Sequence, residues 1–410
     1  MNHPVKIIYN AKLKLETALH IGCGQESPLG AFEIIRNGAG ELTIPGTSIA
    51  GVFFTTLRLI TTPKDFEQKI WDVLFQNEKR EQKDGATPII FRTVSLENCT
   101  VTTKIRNRVK INRETKTAED GALFSYWEIE PEGVKFDISV EIDNLSLKNS
   151  TDTLKVLSTW VEQVLSSWHN EGVFLGGHSS SGNGFCSLKE ATKSEIDSSN
   201  YQMYLNDEKI EFDELTFTND VKQRFKTWDI TVKMNEEDKG YGVNALLIKG
   251  GVSHSSLAGN TSDGVFINTG KRLFIPGSSL KGTFSMYLEK YGKGKWLSEF
   301  FGQDKADHQG YIYFPDLIFT EDMKDKTNHL VNIERHAEDE FTRAVYGSGK
   351  FNEERLFYAE VTGKIRVPVH IDAGEVLESI TEGCEKRLIS LGANGCYPLI
   401  TIKECNNEND

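Results

Sequence analysis

Three things are scarce in this sequence. No stretch of its 410 residues approaches the ~18–20 consecutive apolar residues of a membrane span, and MNHPVKIIYNAKLKLE at the start lacks the pattern of a secretory signal. A cytoplasmic protein without a membrane partner is expected. Cysteine pairs at CxxC spacing are absent: Cys23, Cys99, Cys186, Cys384, Cys396 and Cys405 are scattered, so neither a disulfide framework nor a structural zinc site is signalled. Excess positive charge is missing too. With 47 Lys and Arg against 60 Asp and Glu the formal charge is −13, which excludes a uniformly basic coat for nucleic acid and leaves only a local basic patch.

What is present is an ordinary soluble composition, 38 % hydrophobic and 26 % charged, on a chain longer than the ~250–300 residues at which single cores stop growing. Two domains are expected, and the text supplies a reason. LTIPGTSIAGVFFTTLR, from position 42, returns from position 273 as LFIPGSSLKGTFSMYLEKYG. The separation is too long for a solenoid repeat and suits two copies of a domain. Each phrase joins a Pro-Gly turn to Thr47-Ser48 or Ser278-Ser279 and then to a helical apolar pattern, Val52-Phe53-Leu57 or Phe284-Met286-Leu288. Such a helix start is either a plain cap or a phosphate cradle of free N–H groups at Ser48, Ser278 and Ser279.

Around the phrase the order of features repeats. KIIYNAKLKLETALHIGCG is answered by TWDITVKMNEEDKGYGVNALLIKGG, WDVLFQ by WLSEFFG, and PIIFRTVSLENCTV by GYIYFPDLIF. Each half closes with an amphipathic segment and a glycine cluster, LGGHSSSGNGF or LGANG. This order predicts α+β architecture in two copies, residues 1–190 and 223–410. The acidic, weakly periodic stretch 191–222 reads as the linker.

One segment points to RNA by its charge alone. In TTKIRNRVKINRETK, Lys104, Arg106, Arg108 and Lys110 alternate with Ile105, Asn107, Val109 and Ile111. On a strand that period gathers four cations on one face, with Arg113 and Lys116 extending it. A charged edge strand guarded against aggregation has the same pattern.

The ordered set LHIGCG (19–24), IPGTS and IPGSSLKG, INRETKTAEDGALF (111–124) and GGHSSSGNG (176–184) resembles the RAMP superfamily. It is most similar to the backbone subunit of type III CRISPR effector complexes, in the fused double form of type III-D variants. The resemblance implies two tandem RRM-like (ferredoxin-like) modules with inserted thumb hairpins, and as partners a guide CRISPR RNA, a target RNA and other effector subunits. It also implies metal-dependent endoribonuclease activity within the complex, with Mg²⁺ or Mn²⁺ as cofactor.

Cutting members of that family place an aspartate ahead of the IPG phrase, and in LAGNTSDGVFINTGKRLFIPGSS this is Asp263, as catalytic and metal-binding residue. Anchoring Ile34-Ile35 on Phe266-Ile267 puts Ala31 at that place in the first module, with Glu33 out of register, so the first module is expected to bind without cutting. The basic strand would be the first thumb; the second, NIERHAEDEFTRAVYGSGKFNEERLF, offers Arg335, Arg343 and Lys350 in a longer, less regular segment. Lys281 is the expected guide contact, and since Ala50 stands in its place in module one, Arg58 is the expected substitute. His178, within the glycine loop, is a further RNA-binding candidate. It would be the base if the chain were instead a metal-independent CRISPR-RNA-processing enzyme; His254 is a weaker candidate base, and a non-catalytic scaffold is the remaining alternative.

Overall fold

A computed structural model describes residues 4–64, 67, 68, 70, 71, 74, 87–97, 99–112, 118–144, 151–234, 245–249, 264–269, 272–302, 310–319, 329–338, 341, 342, 344–357, 359–393 and 395–405. Asp263, His254, Arg113, Lys116 and Arg343 lie outside them. The architecture is α+β, dominated by antiparallel strands.

In the first half the chain runs β1 (Lys6–Leu15), α1 (Gly46–Ile60), β2 (Ile89–Phe91), β3 (Lys135–Asp143), α2 (Thr151–Glu171) and β4 (Phe185–Ile196). The strands lie side by side in the order β4-β1-β3-β2. Alternation in β1 sends Tyr9, Ala11, Leu13 and Leu15 inward, as expected of a sheet covered on one face. The cover is α1, through Ile49, Phe53 and Leu57, and α2, through Leu157, Val161, Val164 and Trp168. Both sets repeat at helical spacing. Trp168 donates its indole N–H to Thr56 Oγ1 at 2.9 Å, so the ring is buried without an orphaned donor.

The second half follows the same order: β5 (Phe225–Lys233), α3 (Gly277–Lys290), β6 (Glu360–Pro368), α4 (Gly374–Glu385) and β7 (Leu399–Glu404). Its strands are ordered β6-β5-β7, and a bridge from Tyr313 to Arg366 adds a fourth position beside β6. Each half has its own apolar core, one around Phe53 and Trp168, the other around Phe284 and Phe314.

Both IPG phrases are solved in the same way. Pro45 and Pro276 are extended N-caps, and neither helix has a side-chain cap. The glycine that follows is required by close approach. A Cβ on Gly46 would stand 2.2 Å from the Phe91 carbonyl oxygen, and on Gly277 2.3 Å from that of Phe314. The Gly46 N–H is donated to Thr93 Oγ1 at 3.2 Å and that of Gly277 to Asp316 Oδ1 at 2.7 Å. The first N–H of each helix is therefore already used, which favours the packing reading of the motif over a bare phosphate cradle.

Long hairpins rise from each half. The first pairs Thr103–Ile111 with Ala118–Ile129, flanked by Gly22–Glu26 and Ala31–Ile34. The second pairs Leu330–Glu338 with Val345–Leu356 in one antiparallel register broken only near His336, so it is more regular than its sequence suggests.

The stretch 191–222 differs from the expected linker. Residues 191–196 complete β4, Asp213–Glu214 pairs with that strand, and Leu215 and Phe217 pack on the first core. Lys193 pairs with Tyr9 on the helix-covered face and lies 3.2 Å from Glu162 of α2, so a charged side chain stands where an apolar one would announce the strand.

Candidate nucleic-acid interface

Backbone contacts put the two halves in one register. Leu19 bridges Ile129 where Leu246 bridges Leu356. The Ile35 N–H reaches the Ile21 carbonyl at 2.9 Å, where that of Ile267 reaches Ile248 at 3.0 Å. Phe32 pairs in parallel with Tyr126 where Gly264 pairs in parallel with Glu353. Phe32 thus corresponds to Gly264, and Ala31, fully buried, is the residue before Phe32.

The expected basic stripe does lie on one face of the first hairpin, but that face turns from the junction between the halves out to solvent. Lys104 donates to the Asn268 carbonyl and lies 3.7 Å from Glu130. Burial lowers the Lys104 ammonium from its usual range, with Glu130 and Glu128 opposing, and burial likewise raises the Glu130 carboxyl. Arg106 is 4 % exposed; its guanidinium meets Glu128 at 3.5 Å and lies 4.8 Å over the Phe274 ring. It is therefore an interior ion pair rather than a phosphate contact, a correction to the four-cation reading. Its partners come from 22 residues along the hairpin and from the other half, and neither is visible in strand periodicity. Lys110, at the outer end, is exposed and 3.3 Å from Glu119.

Arg108 lies between these extremes. Its Nε donates to the Tyr126 hydroxyl at 2.8 Å, its Nη2 to Asn183 Oδ1 at 3.0 Å, and the guanidinium sits 5.4 Å over the Tyr126 ring. His178 stacks on that tyrosine at 4.7 Å; Phe124 and His20 complete an aromatic group. The backbone of His178 is left-handed, φ 61°, at the entry to a tight turn over Ser179–Ser181. This turn lies on α3: Lys281 Nζ donates to Ser180 Oγ at 2.9 Å, and the Phe314 N–H reaches the Ser180 carbonyl. Gly182 has no room for a Cβ beside Asp316.

The glycine loop of one half thus carries the second IPG helix, and Arg108, His178 and Lys281 converge there. Burial and then the Arg108 charge lower the Lys281 ammonium from 10.5 to about 8. Burial, Arg108, His20 and Lys281 together lower His178 from 6.5 to about 4, so its imidazole is neutral near pH 7. Positive groups holding down each other's proton affinity produce a field that an anion relieves. A phosphodiester is such an anion.

The other candidates are placed elsewhere. Ser48 is half-buried in the first turn of α1, and Ser278 and Ser279 are half-buried in the first turn of α3. Arg58 is exposed in the last turn of α1, about 12 Å further along the helix than Ala50, so it does not substitute for Lys281. Arg335 stands on the second hairpin, 4.0 Å from Glu353. His20, Tyr126, Asn183 and Asp316 were missed by sequence reasoning. His20, inside LHIGCG, and Asn183, inside GGHSSSGNG, lay in motifs; Tyr126 and Asp316 are brought in by the fold.

No group of three or more His, Cys, Asp or Glu among the described residues is placed to hold a metal ion. Likewise, no helix among them is long and apolar enough to cross a membrane.

Residues 12–187 match the model of the RAMP superfamily. The match runs from β1 into β4, includes the first hairpin and the glycine loop, and supports RAMP membership. It suggests a CRISPR-associated RNA-binding subunit, in a superfamily that includes some endoribonucleases and works with CRISPR RNA and other effector subunits. No curated protein matches the chain.

Proposed function

We propose that the chain is a cytoplasmic backbone subunit of a type III CRISPR RNA-guided effector complex, built from two RRM-like RAMP modules in tandem. It binds guide RNA, and its second module cleaves the paired target RNA at Asp263. The parallel element order and the common register of the halves support the tandem reading. The observation that carries RNA binding is the convergence of Arg108 and Lys281 beside His178 where the first glycine loop meets α3. Lysine and arginine held in the same field suit successive or shared phosphate oxygens.

The cleavage reading rests on the register that sets Ala31 against position 263, together with the family resemblance. A carboxylate there would help to hold a Mg²⁺ or Mn²⁺ ion, which supplies charge stabilisation when bound. The fit of that ion rests on Asp263 alone, so no step is assigned to it. His178 suits neutral stacking better than repeated protonation, which favours a binding role for it over a processing role.

The test uses the assembled complex with guide and labelled target in the presence of the metal. Asp263→Ala should remove one cut from the ladder and keep target binding, whereas Ala31→Ser and Glu33→Gln should keep every cut. An unchanged ladder from assembled Asp263→Ala complex would overturn the cleavage assignment. Metal-independent cutting of free repeat RNA would instead establish the processing alternative.

A further inference from the structure

The second hairpin carries a charge cluster next to Gly264. Glu353 is buried, and Arg355, 1 % exposed, donates from Nη2 to its Oε2 at 2.6 Å. Lys249 Nζ lies 3.6 Å from the same carboxylate and Arg335 Nε 4.0 Å. Arg355 keeps a buried Nε with no hydrogen-bond partner. Glu353 is the one carboxylate within ion-pair distance of these three cations among the described residues. Among the described residues three cations therefore face one carboxylate, an excess of positive charge toward the cluster's outer side.

Its outer side is formed by Lys249 and Arg335, whose side chains are 56 % and 37 % exposed. Their inner ends are fixed. A Cβ on Gly264 would meet Glu353 Cγ and Lys249 Cε at 3.4 Å each, so the backbone at 264 is packed directly against both. Gly264 also exchanges backbone hydrogen bonds with Asn352 and Glu354.

The common register gives this cluster a counterpart. Tyr126 pairs with Arg106 and Phe124 with Arg108, as Glu353 pairs with Ile333 and Phe351 with Arg335. Arg335 is therefore the counterpart of Arg108, and Glu353 of Tyr126. In the first half the arginine leans on a tyrosine and is joined by Lys281; in the second it leans on a carboxylate and is joined by Lys249. Each hairpin arginine thus has a lysine beside it, Lys281 from α3 of the second half in one case and Lys249 of the same half in the other.

We propose that Lys249 and Arg335 form a clamp for one phosphodiester of single-stranded RNA beside Gly264, with Glu353 as the positioning residue that gathers them. The proposal rests on the RNA-binding reading above and specifies where the second half grips the strand. A clamp beside the residue proposed to cut would hold the strand in line for attack by its own 2′-OH. Glu353 touches the cations and not the RNA.

The experiment measures binding of guide-paired target to the full complex across a salt series, in an Asp263→Ala background where no cutting intervenes. Lys249→Gln with Arg335→Gln should flatten the slope of log K against log salt by roughly 0.7, the term for one phosphate neutralised on a single strand. In the Asp263 background the same pair should slow the one cut tenfold or more. Glu353→Gln should keep the salt slope and lower the maximal cutting rate rather than the target affinity, with Glu353→Asp restoring part of the rate. Thermal unfolding reports whether each variant is folded; the two cation variants are at exposed positions and keep the test open should Glu353→Gln unfold. An unchanged salt slope in the double variant overturns the clamp. A flattened slope with Asp263→Ala still cutting would support the clamp and overturn only the assignment of Asp263.

Discussion

At the scale of single residues, burial separates cations that look alike in sequence. Arg106 and Arg108 are two positions apart on one strand face, yet the first is sealed against Glu128 and Phe274 and the second opens toward His178. Arg106→Gln should cost about 3–5 kcal/mol by stranding the buried Glu128 carboxylate. It should lower the unfolding midpoint and leave the RNA salt slope alone. Arg108→Gln should reverse the pattern, with a slope smaller by about 0.7 and near-native stability. Equal slopes for the two variants would contradict the burial argument. The interleaved Val109 is 43 % exposed, so a polar replacement there should shift stability by less than about 0.5 kcal/mol.

Lys281 gives the same scale a pH signature. Its folded value of about 8 lies below its ordinary 10.5. Below about pH 8 the lysine is charged in both the folded and unfolded chain, and its burial opposes folding in full. As pH rises from about 8 toward 10.5 the folded state has shed a proton that the unfolded state keeps, so the penalty fades and stability increases. RNA binding runs the other way, because the charge that an anion seeks is lost above about 8. Affinity for single-stranded RNA should fall as pH rises from 7 to 9, and Lys281→Arg should abolish that fall. A pH-independent affinity in the wild-type protein would remove Lys281 from the interface.

At the scale of elements, much was legible because repetition is a strong signal and the rest was not because contacts are non-local. The IPG helices, the β1 and β5 alternation and the basic hairpin strand all follow from local pattern, and the alignment of Ile34-Ile35 with Phe266-Ile267 agrees with the backbone bonds that Ile35 and Ile267 make. The reason for the glycine was not legible. Gly46 and Gly277 are demanded by the carbonyls of Phe91, at the end of β2, and of Phe314, next to the Tyr313 bridge, both far along the chain. The strand at 191–196 was hidden for a similar reason, since its buried Ala191, Ser194 and Ile196 fall on both faces and charged Lys193 takes a place on the helix side. Gly277→Ala should destabilise by more than Gly46→Ala, because its Cβ also meets the Ser181 carbonyl at 2.9 Å, from the other half. Overpacking of this kind costs about 1–3 kcal/mol. Comparison of the two thermal midpoints checks the order, and a larger loss for Gly46→Ala would count against the junction.

At the scale of the whole molecule, the halves are joined by buried polar contacts as well as by apolar packing. Arg224, on the second side of the crossing, binds Glu171 at 3.1 Å and the carbonyls of Ser167 and Gly172 at the end of α2. Arg366 lies 4.1 Å over the Phe185 ring, and burial lowers its guanidinium to about 10. Charges so enclosed are costly unless their partners stay in place, so separation of the halves would expose Glu171 and Asp316 together with their arginines. The two cores should therefore unfold in one transition rather than two. Tryptophans report on both, Trp160 and Trp168 in the first core and Trp228 in the second. Arg224→Met should weaken this coupling: denaturant unfolding followed by fluorescence would broaden, and hydrogen exchange would show the second sheet opening before the first. Protection that falls equally across both sheets in that variant would place the coupling elsewhere, in the Ser180 and Lys281 contact where the RNA is proposed to bind. In that case saturating RNA should raise the midpoint of both cores together.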